Sequence, residues 1–442
     1  MEIISLIQGL WVALTILLFF VNLRKGICSY VSYMILVPYM NINLGISLQW
    51  NMVNVLLLLA YFLIHKKDKK KKLVINFKPF WPFLFLFIAQ LLEMPFQNGV
   101  PFEYAFNSFR LNLMTYLILP FVIWNYGNED EKLSKQLRTT VVVCIFIAFG
   151  YGLFLTTTGG LNPYQMAIMA ANGEEWNAEY AEIGGGRMFG RISSVFGHPM
   201  TYGLFLGMSL VYIYTIREHL KKCMQLFFLF GIVAAIFLCG IRSPIGALFA
   251  TILAYLLLTH RIKSMFQVGI AGIVGYLIIT AVPDLNSYVE SIFSDNKSQV
   301  AGSSFEMRLE QLQGCFREIR NNPLFGKGYG WTYYYEENYG DHPVMLAFES
   351  LSYVVLCNSG YVGVVIWIVF LYKLFINTKK IIYNQDLIIC CLCLVVYYLA
   401  YSTITGEYGY MKYLILFYTL ILLEDKSEKI NSKNRFYEST LV

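Results

Sequence analysis

"FFLFGIVAAIFLCGIRSPIGALFATILAYLLL", residues 227–258, carries a single charge, Arg242. The Gly-Ile-Arg-Ser-Pro turn divides it into apolar runs at 223–241 and 244–259. Each comes close to the roughly 20 residues that a membrane-crossing helix needs. No alternation of polar and apolar residues runs through the chain, so the spanning elements are helices and not a barrel. Working outward from this pair, the same reading gives apolar segments at 3–22, 28–45, 48–64, 79–97, 111–126, 139–157, 198–216, 265–282, 344–372, 387–403 and 409–423. The expectation is an all-α polytopic membrane protein of about 12–13 spans, forming a single transmembrane domain over 1–442.

Composition agrees. The 442 residues are 57% hydrophobic and 14% charged, against roughly 25% charged in a soluble domain. The start, "MEIISLIQGLWVALTILLFF", has no basic leader and no small-residue cleavage site, so it reads as a retained span. Nine cysteines fall almost entirely within apolar runs, where they pack as small residues. They give neither a disulfide framework nor a metal-site spacing. No Asp-x-Asp pair, HExxH or GxSxG occurs in an outward loop, and no metal or cofactor is expected.

Orientation follows from Lys and Arg. One set of alternate loops holds 24 of the 34 basic residues, including the "HKKDKKKK" run within the 65–78 loop and four in the 424–442 tail. This set is read as cytoplasmic, with the C-terminus. The basic run is a topology anchor first, with lipid headgroups as its second reading. Nucleic acid is not expected, because no aromatic residues interleave with the charge. The opposite set has ten basic residues, seven of them Arg, whereas the cytoplasmic set has five Arg and nineteen Lys. Topology needs only charge. Arg is preferred where a planar fork must grip phosphate or carboxylate. The external arginines therefore point to anion recognition. The competing reading pairs them with Glu174, Glu175, Glu182, Glu306 and Glu310.

Two external loops are long, at about 158–197 and 283–343, and too short to hold a globular domain. The first ends in "GGGRMFGRISSVFGHP", with Arg187, Arg191 and His198. In the second, "SSFEMRLEQLQGCFREIRNNP" opens with Ser303 and Glu306 at capping-box spacing. Phe305, Leu309, Leu312, Phe316 and Ile319 form one apolar stripe, which predicts an amphipathic helix lying on the membrane with that stripe down. Arg308 sits beside the stripe. The glycine turn "GKGYGW" (326–331) follows, with Lys327. Trp331, Tyr333 and Tyr334 then offer aromatic faces for sugars or form an interfacial belt. His342 and Glu349, seven residues apart, share a face if a helix begins by His342. A carboxylate at a span is a functional candidate by default, its rival reading being a satisfied contact in the bundle. For His342 the rival reading is a loop histidine. Arg242 is either a ligand or a snorkelling anchor. Glu407 lies in the last external turn, "TITGEYGYMKY".

At these residues the chain resembles the O-antigen polymerase (Wzy) and O-antigen ligase superfamily, polytopic lipid-linked glycan transferases of the GT-C type. "RLEQLQGCFREIRNNPLFGKG" (308–328) looks like that family's Arg-led external helix and its Pro-x-x-Gly-x-Gly turn. "CNSGYVG" (357–363) is similar to the paired glycines after its second motif. "GRISSVFGHPMTYG" (190–203) is similar to its Arg-led entry to a span, and "IRS" (241–243) to its Ser-Arg turn in reversed order. The ligase branch usually carries a His-Asn pair. Here Pro343 follows His342, which favours the polymerase branch and leaves Glu349 competing with His342 as catalytic base. The resemblance implies a glycan on undecaprenyl pyrophosphate as substrate. It implies metal-independent transfer to a second lipid-linked repeat unit at the external face of a bacterial inner membrane. The product would be capsule, exopolysaccharide or O-antigen. Arg191, Arg242, Arg308 and Arg187 would bind pyrophosphate. Trp331, Tyr333, Tyr334, Lys327, Glu407 and His198 would contact glycan. A chain-length regulator is a possible protein partner, beside the membrane lipid itself. The alternatives are ligase-type transfer to another acceptor and a non-enzymatic glycan flippase.

Overall fold

The Gly-Ile-Arg-Ser-Pro turn forms as read. One helix ends at Leu238 and the next starts at Ser243 with Pro244 in its first turn, where proline loses no hydrogen bond. The computed structural model describes residues 2–37, 42–43, 47–67, 75–171, 190–261, 263–264, 266–267, 269–270 and 305–440. The helices are α1 (Glu2–Val21), α2 (Leu23–Leu36), α3 (Trp50–Lys67), α4 (Trp81–Glu93), α5 (Phe102–Gly127), α6 (Glu131–Thr157), α7 (Pro163–Ala171), α8 (Pro199–Thr215), α9 (Lys222–Leu238), α10 (Ser243–Leu258), α11 (Phe305–Glu318), α12 (Trp331–Tyr339), α13 (Leu351–Ile381), α14 (Gln385–Thr405) and α15 (Met411–Thr440). The only β structure among the described residues is a two-residue antiparallel ladder, Ile42–Asn43 with Ser47–Leu48, and an isolated bridge from His342 to Leu346. Among the described residues, six helical segments are long and apolar enough to cross a membrane, and α9, α10 and the Trp50–Ile64 part of α3 are shorter apolar helices. The fold is an all-α polytopic membrane protein.

Two expectations change. The 28–45 span is instead a 14-residue helix that starts earlier, at Leu23, capped by the Asn22 side chain on Lys25 N. The expected span at 344–372 begins later, at Leu351, after an irregular turn. The expected span at 265–282 lies almost wholly outside the described residues.

The apolar start of α15 is the centre of the bundle. Tyr413 to Leu423 are buried all round, as a helix without a polar face must be. It packs on α5, α6, α8 and α14. Glycines let the neighbours close in, the usual device where lipid offers no hydrophobic drive. A Cβ on Gly203 would meet Pro244 Cγ at 2.6 Å and Tyr401 Oη at 3.1 Å, and one on Gly207 would overlap the Tyr397 ring. The N-terminal ends of α8 and α10 are thus held against the C-terminal end of α14. Tyr401 Oη also donates to Met200 O at 2.6 Å. On the periphery, Ile3, Val21, Phe230 and Ile368 are exposed, as a lipid-facing surface requires.

Candidate functional site

At the junction of α8, α10 and α14, three chain segments meet. Ile192 N donates to Cys239 O at 3.1 Å, joining the Arg191 segment to the turn that carries Arg242. Arg242 is the N-cap of α10, and its carbonyl accepts from Ile245 N and Gly246 N. One turn into that helix, a Cβ on Gly246 would touch Ile404 Cδ1 at 3.6 Å. The carbonyl of Ile404, at the end of α14, is where the third segment arrives. Arg308 Nη2 donates to it at 2.7 Å, and Nη1 donates to Glu349 O at 3.2 Å. Tyr353 Oη returns a bond to Arg308 O at 2.7 Å. The residues predicted in separate external segments are therefore gathered at one end of the bundle. Two helix N-termini, α8 and α10, add positive potential there.

The segments are held in costly backbone shapes. Four described non-glycine residues have positive φ, and three of them lie here: Ser194 (50°), Leu346 (49°) and Phe348 (50°). Such residues persist only when surroundings fix them, and they concentrate at functional sites. Around Ser194 the fixing group is Asn162, buried, whose Nδ2 donates to Ser193 Oγ at 3.0 Å and Ser194 O at 2.7 Å. Around Leu346 it is His342. Its Nδ1 accepts from Val344 N at 3.1 Å and Met345 N at 3.0 Å, while backbone bonds tie His342 to Leu346 in both directions.

This corrects the expectation that His342 and Glu349 share a helical face. Residues 342–350 form a strained turn, because Pro343 and the left-handed Leu346 and Phe348 stop any helix there. His342 is buried against Tyr335 and Phe348, with Nε2 facing Glu318 Oε1 at 3.6 Å. Glu349 is only half-buried, and among the described residues its carboxylate accepts no hydrogen bond. It lies close enough to Tyr353 and Tyr408 for its charge to act on both.

The stripe on α11 is also divided. Cys315 and Ile319 are buried, and α11 packs on α13. Leu309 and Phe316 remain 51% and 44% exposed. Arg317 and Arg320 are exposed. The glycine turn docks backbone to backbone on the middle of α13, where Gly360 breaks the helix at φ 59°, ψ −153°. Lys327 N donates to Cys357 O at 2.8 Å, and Tyr361 N donates to Pro323 O at 3.0 Å. A Cβ on Gly326 would sit 2.6 Å from Cys357 O, and one on Gly360 would strike Pro323 O.

The remaining predicted contacts sort by availability. Lys327 is paired with Glu318 at 3.0 Å. Trp331 is buried against Phe348 and Tyr335, so its face is taken. Tyr334 meets Tyr104 edge to face. Tyr333 is more open, its hydroxyl donating to Glu407 O. The Glu407 carboxylate accepts from Gly409 N at 3.1 Å and Met411 N at 2.8 Å, and burial pushes its pKa up. His198 is the N-cap of α8. Its Nδ1 accepts from Met200 N, and burial, helped by the Arg191 charge, lowers its pKa to about 4, leaving it neutral. Arg187 lies outside the described residues.

Glu336 was not expected. It stands on α12, and burial, then Asp341 and Glu337, push its carboxyl up to about 7. Its sequence, "YYYEENYG", carries a like-charge neighbour at Glu337, the only signal available beforehand. Asn162 gave none beyond an Asn-Pro turn. Among the described residues, no three His, Cys, Asp or Glu side chains group as a metal site.

This arrangement falls largely in one recognised stretch. Residues 226–368 match the Wzy_C family model, O-antigen ligase. The match bears out the resemblance over about a third of the chain. It takes in Arg242, Arg308, His342 and Glu349, and leaves Arg191, His198 and Glu407 outside it. No curated protein matches the chain. At the level of the family the match supports glycan transfer of the polymerase or ligase kind, on lipid-linked glycans. With several apolar helices, it implies a multi-pass protein of the bacterial inner membrane.

Proposed function

We propose that this chain, one transmembrane domain over 1–442 with its C-terminus in the cytoplasm, is a polysaccharide polymerase. It joins undecaprenyl-pyrophosphate-linked repeat units at the external membrane face, for capsule, exopolysaccharide or O-antigen. The observation that carries the reading is the convergence of the Arg191, Arg242 and Arg308 segments on one bundle end. Pyrophosphate is a doubly anionic leaving group, and several fixed guanidinium forks suit it. Arg308 is aimed by two carbonyls and so is preorganised.

The step balances simply. Glu349, with no bond to its carboxylate, takes the proton of the acceptor hydroxyl. That oxygen forms a bond to the anomeric carbon of the donor glycan. The bond from that carbon to pyrophosphate breaks, and its electron pair leaves on the pyrophosphate oxygen, where the arginines hold the charge. Arg187 would join this set. His342 holds the turn that presents Glu349. Tyr333 and Glu407, with Trp331, Tyr334, Lys327 and His198 behind them, support the glycan side. No metal or cofactor takes part. A chain-length regulator is a partner to look for.

The test is purified protein with lipid-linked repeat units and no added metal. A ladder of lengthening glycans supports the polymerase. Single transfer to another acceptor, without a ladder, would make it a ligase, in line with the O-antigen ligase family it matches. Translocation without transfer would make it a carrier. Collapse of the ladder with EDTA would sink the metal-free step.

A further inference from the structure

Against the Glu407–Met411 part of the turn after α14 lies a cavity of about 100 Å³. At roughly 10–15 Å³ for each water position, that is room for about seven to ten waters, enough for one sugar ring and too little for an oligosaccharide. Tyr333 and Glu407 stand at its outer end, and Leu86 and Trp367 lie deeper between α4 and α13. Its polar wall is made of amides and hydroxyls: Gln90 from α4, Ser108 and Asn112 from α5, Asn358 and Ser359 from α13. Its aromatic wall is Tyr116, Tyr329 and Trp367. No Lys, Arg or His lines it among the described residues, and Glu407 is its one ionisable acid.

These walls are preset. Asn112 Nδ2 donates to Tyr329 Oη at 2.9 Å, which fixes the amide and leaves its carbonyl oxygen for a ligand hydroxyl. Asn358 Oδ1 accepts from Thr332 N at 3.2 Å, which turns its NH₂ the other way. Gln90 is half-buried, and its side chain makes no hydrogen bond among the described residues. A carboxyl, Glu93, is buried beside Ser359. Amide and hydroxyl pairs recognise alternating hydroxyls, and aromatic faces cover the C–H faces of a pyranose. A cavity with an acid and no cation disfavours an anionic ring.

We infer that this cavity is a subsite for one neutral sugar ring, a hexose or an N-acetylhexosamine, and that it rejects uronic acids. The assignment rests on the glycan-transfer reading for its biological sense. The sugar enters past Tyr333 and Glu407.

The test uses the full chain in nanodiscs and free glucose, N-acetylglucosamine and glucuronate at millimolar concentrations. The readout is tryptophan fluorescence, since Trp367 lines the cavity. One or both neutral sugars should give a saturable change that Trp367→Phe removes. Gln90→Leu and Asn112→Asp should weaken it at least tenfold, and glucuronate should give none. If the Asn112 variant fails to fold, Gln90→Leu still decides, because that side chain has no protein partner to lose. No response to either neutral sugar, an equal response to glucuronate, or an undiminished response in Gln90→Leu overturns the subsite. Sugar binding without glycan transfer would keep the subsite and remove the polymerase. A ladder without sugar binding would do the reverse.

Discussion

The two sides of the Ile404–Met411 turn differ in kind. On one, Arg308 grips the Ile404 carbonyl and the Arg242 helix end lies against the same residue. On the other, Glu407 lines a cavity of amides, hydroxyls and rings, with no Lys, Arg or His in its lining among the described residues. On the proposed reading, the start of the turn serves phosphate charge and its end serves neutral hydroxyls. A lipid-linked glycan has that same division along its length, with the charge next to the bond that breaks. The contrast teaches that one short turn touches two unlike surroundings, and each can be broken separately.

The largest effect belongs to the charged side. Arg308→Ala should reduce transfer by on the order of 100-fold or more. Arg308→Lys should recover little, because one ammonium cannot hold two carbonyls and still offer a fork. A lysine variant with parental ladder formation would break the comparison. Gly360→Ala comes next and acts on both sides together. It adds a Cβ against Pro323 O at a left-handed position, for a loss of about 1–3 kcal/mol. Thermal unfolding should show it, along with faster proteolysis between residues 318 and 331. An unchanged melting temperature would mean that the shelf does not rest on that kink.

Glu336 lies at the seam, near Tyr333 and Tyr408 at once. Its carboxyl titrates near 7 in the fold against 4.5 ordinarily. The charged form is thus the disfavoured one, and stability falls as pH rises from about 4.5 through 7. Glu336→Gln removes that loss. At pH 8 it should be the more stable protein, by about 1 kcal/mol after solvent screening, and below pH 4.5 the two should coincide. A variant that melts lower at pH 8 contradicts the assignment. The smallest effect is expected from His342→Asn. An asparagine oxygen can replace Nδ1 as acceptor for Val344 N and Met345 N, so activity should stay within about tenfold, whereas His342→Ala costs about 1–2 kcal/mol of stability. A loss of activity in His342→Asn as deep as that of Arg308→Ala would return His342 to the role of base.

Much of the bundle was legible because lipid imposes one rule on every span, a long apolar run. It failed where burial replaced lipid. α2 carries Arg24 and Lys25 in its first turn because it packs among helices and does not cross on its own. Arg242 and Arg308 were legible as arginines on the lysine-poor side. The convergence of their segments was not, since it depends on Gly246 and Ile404, ordinary residues in sequence. The His342–Glu349 face was misjudged because an apolar run gives no sign that Leu346 and Phe348 will turn left-handed. Of the cavity, only Tyr333 and Glu407 were singled out beforehand, and its inner wall had no signature. Gln90, Asn112 and Asn358 lie on three helices, and only packing makes them neighbours.

The contact of Gly326 with Gly360 also sets a timetable. A ribosome completes residues 305–350 before α13 exists, so the shelf has nothing to lie on as it emerges. It can settle only after α13 has entered the bilayer, and Arg308 finds its second carbonyl only once α14 has followed. Both halves of the reaction centre are therefore assembled near the end of synthesis. A nascent chain that stalls before Ile404 lacks one of the two carbonyls that hold Arg308 in place.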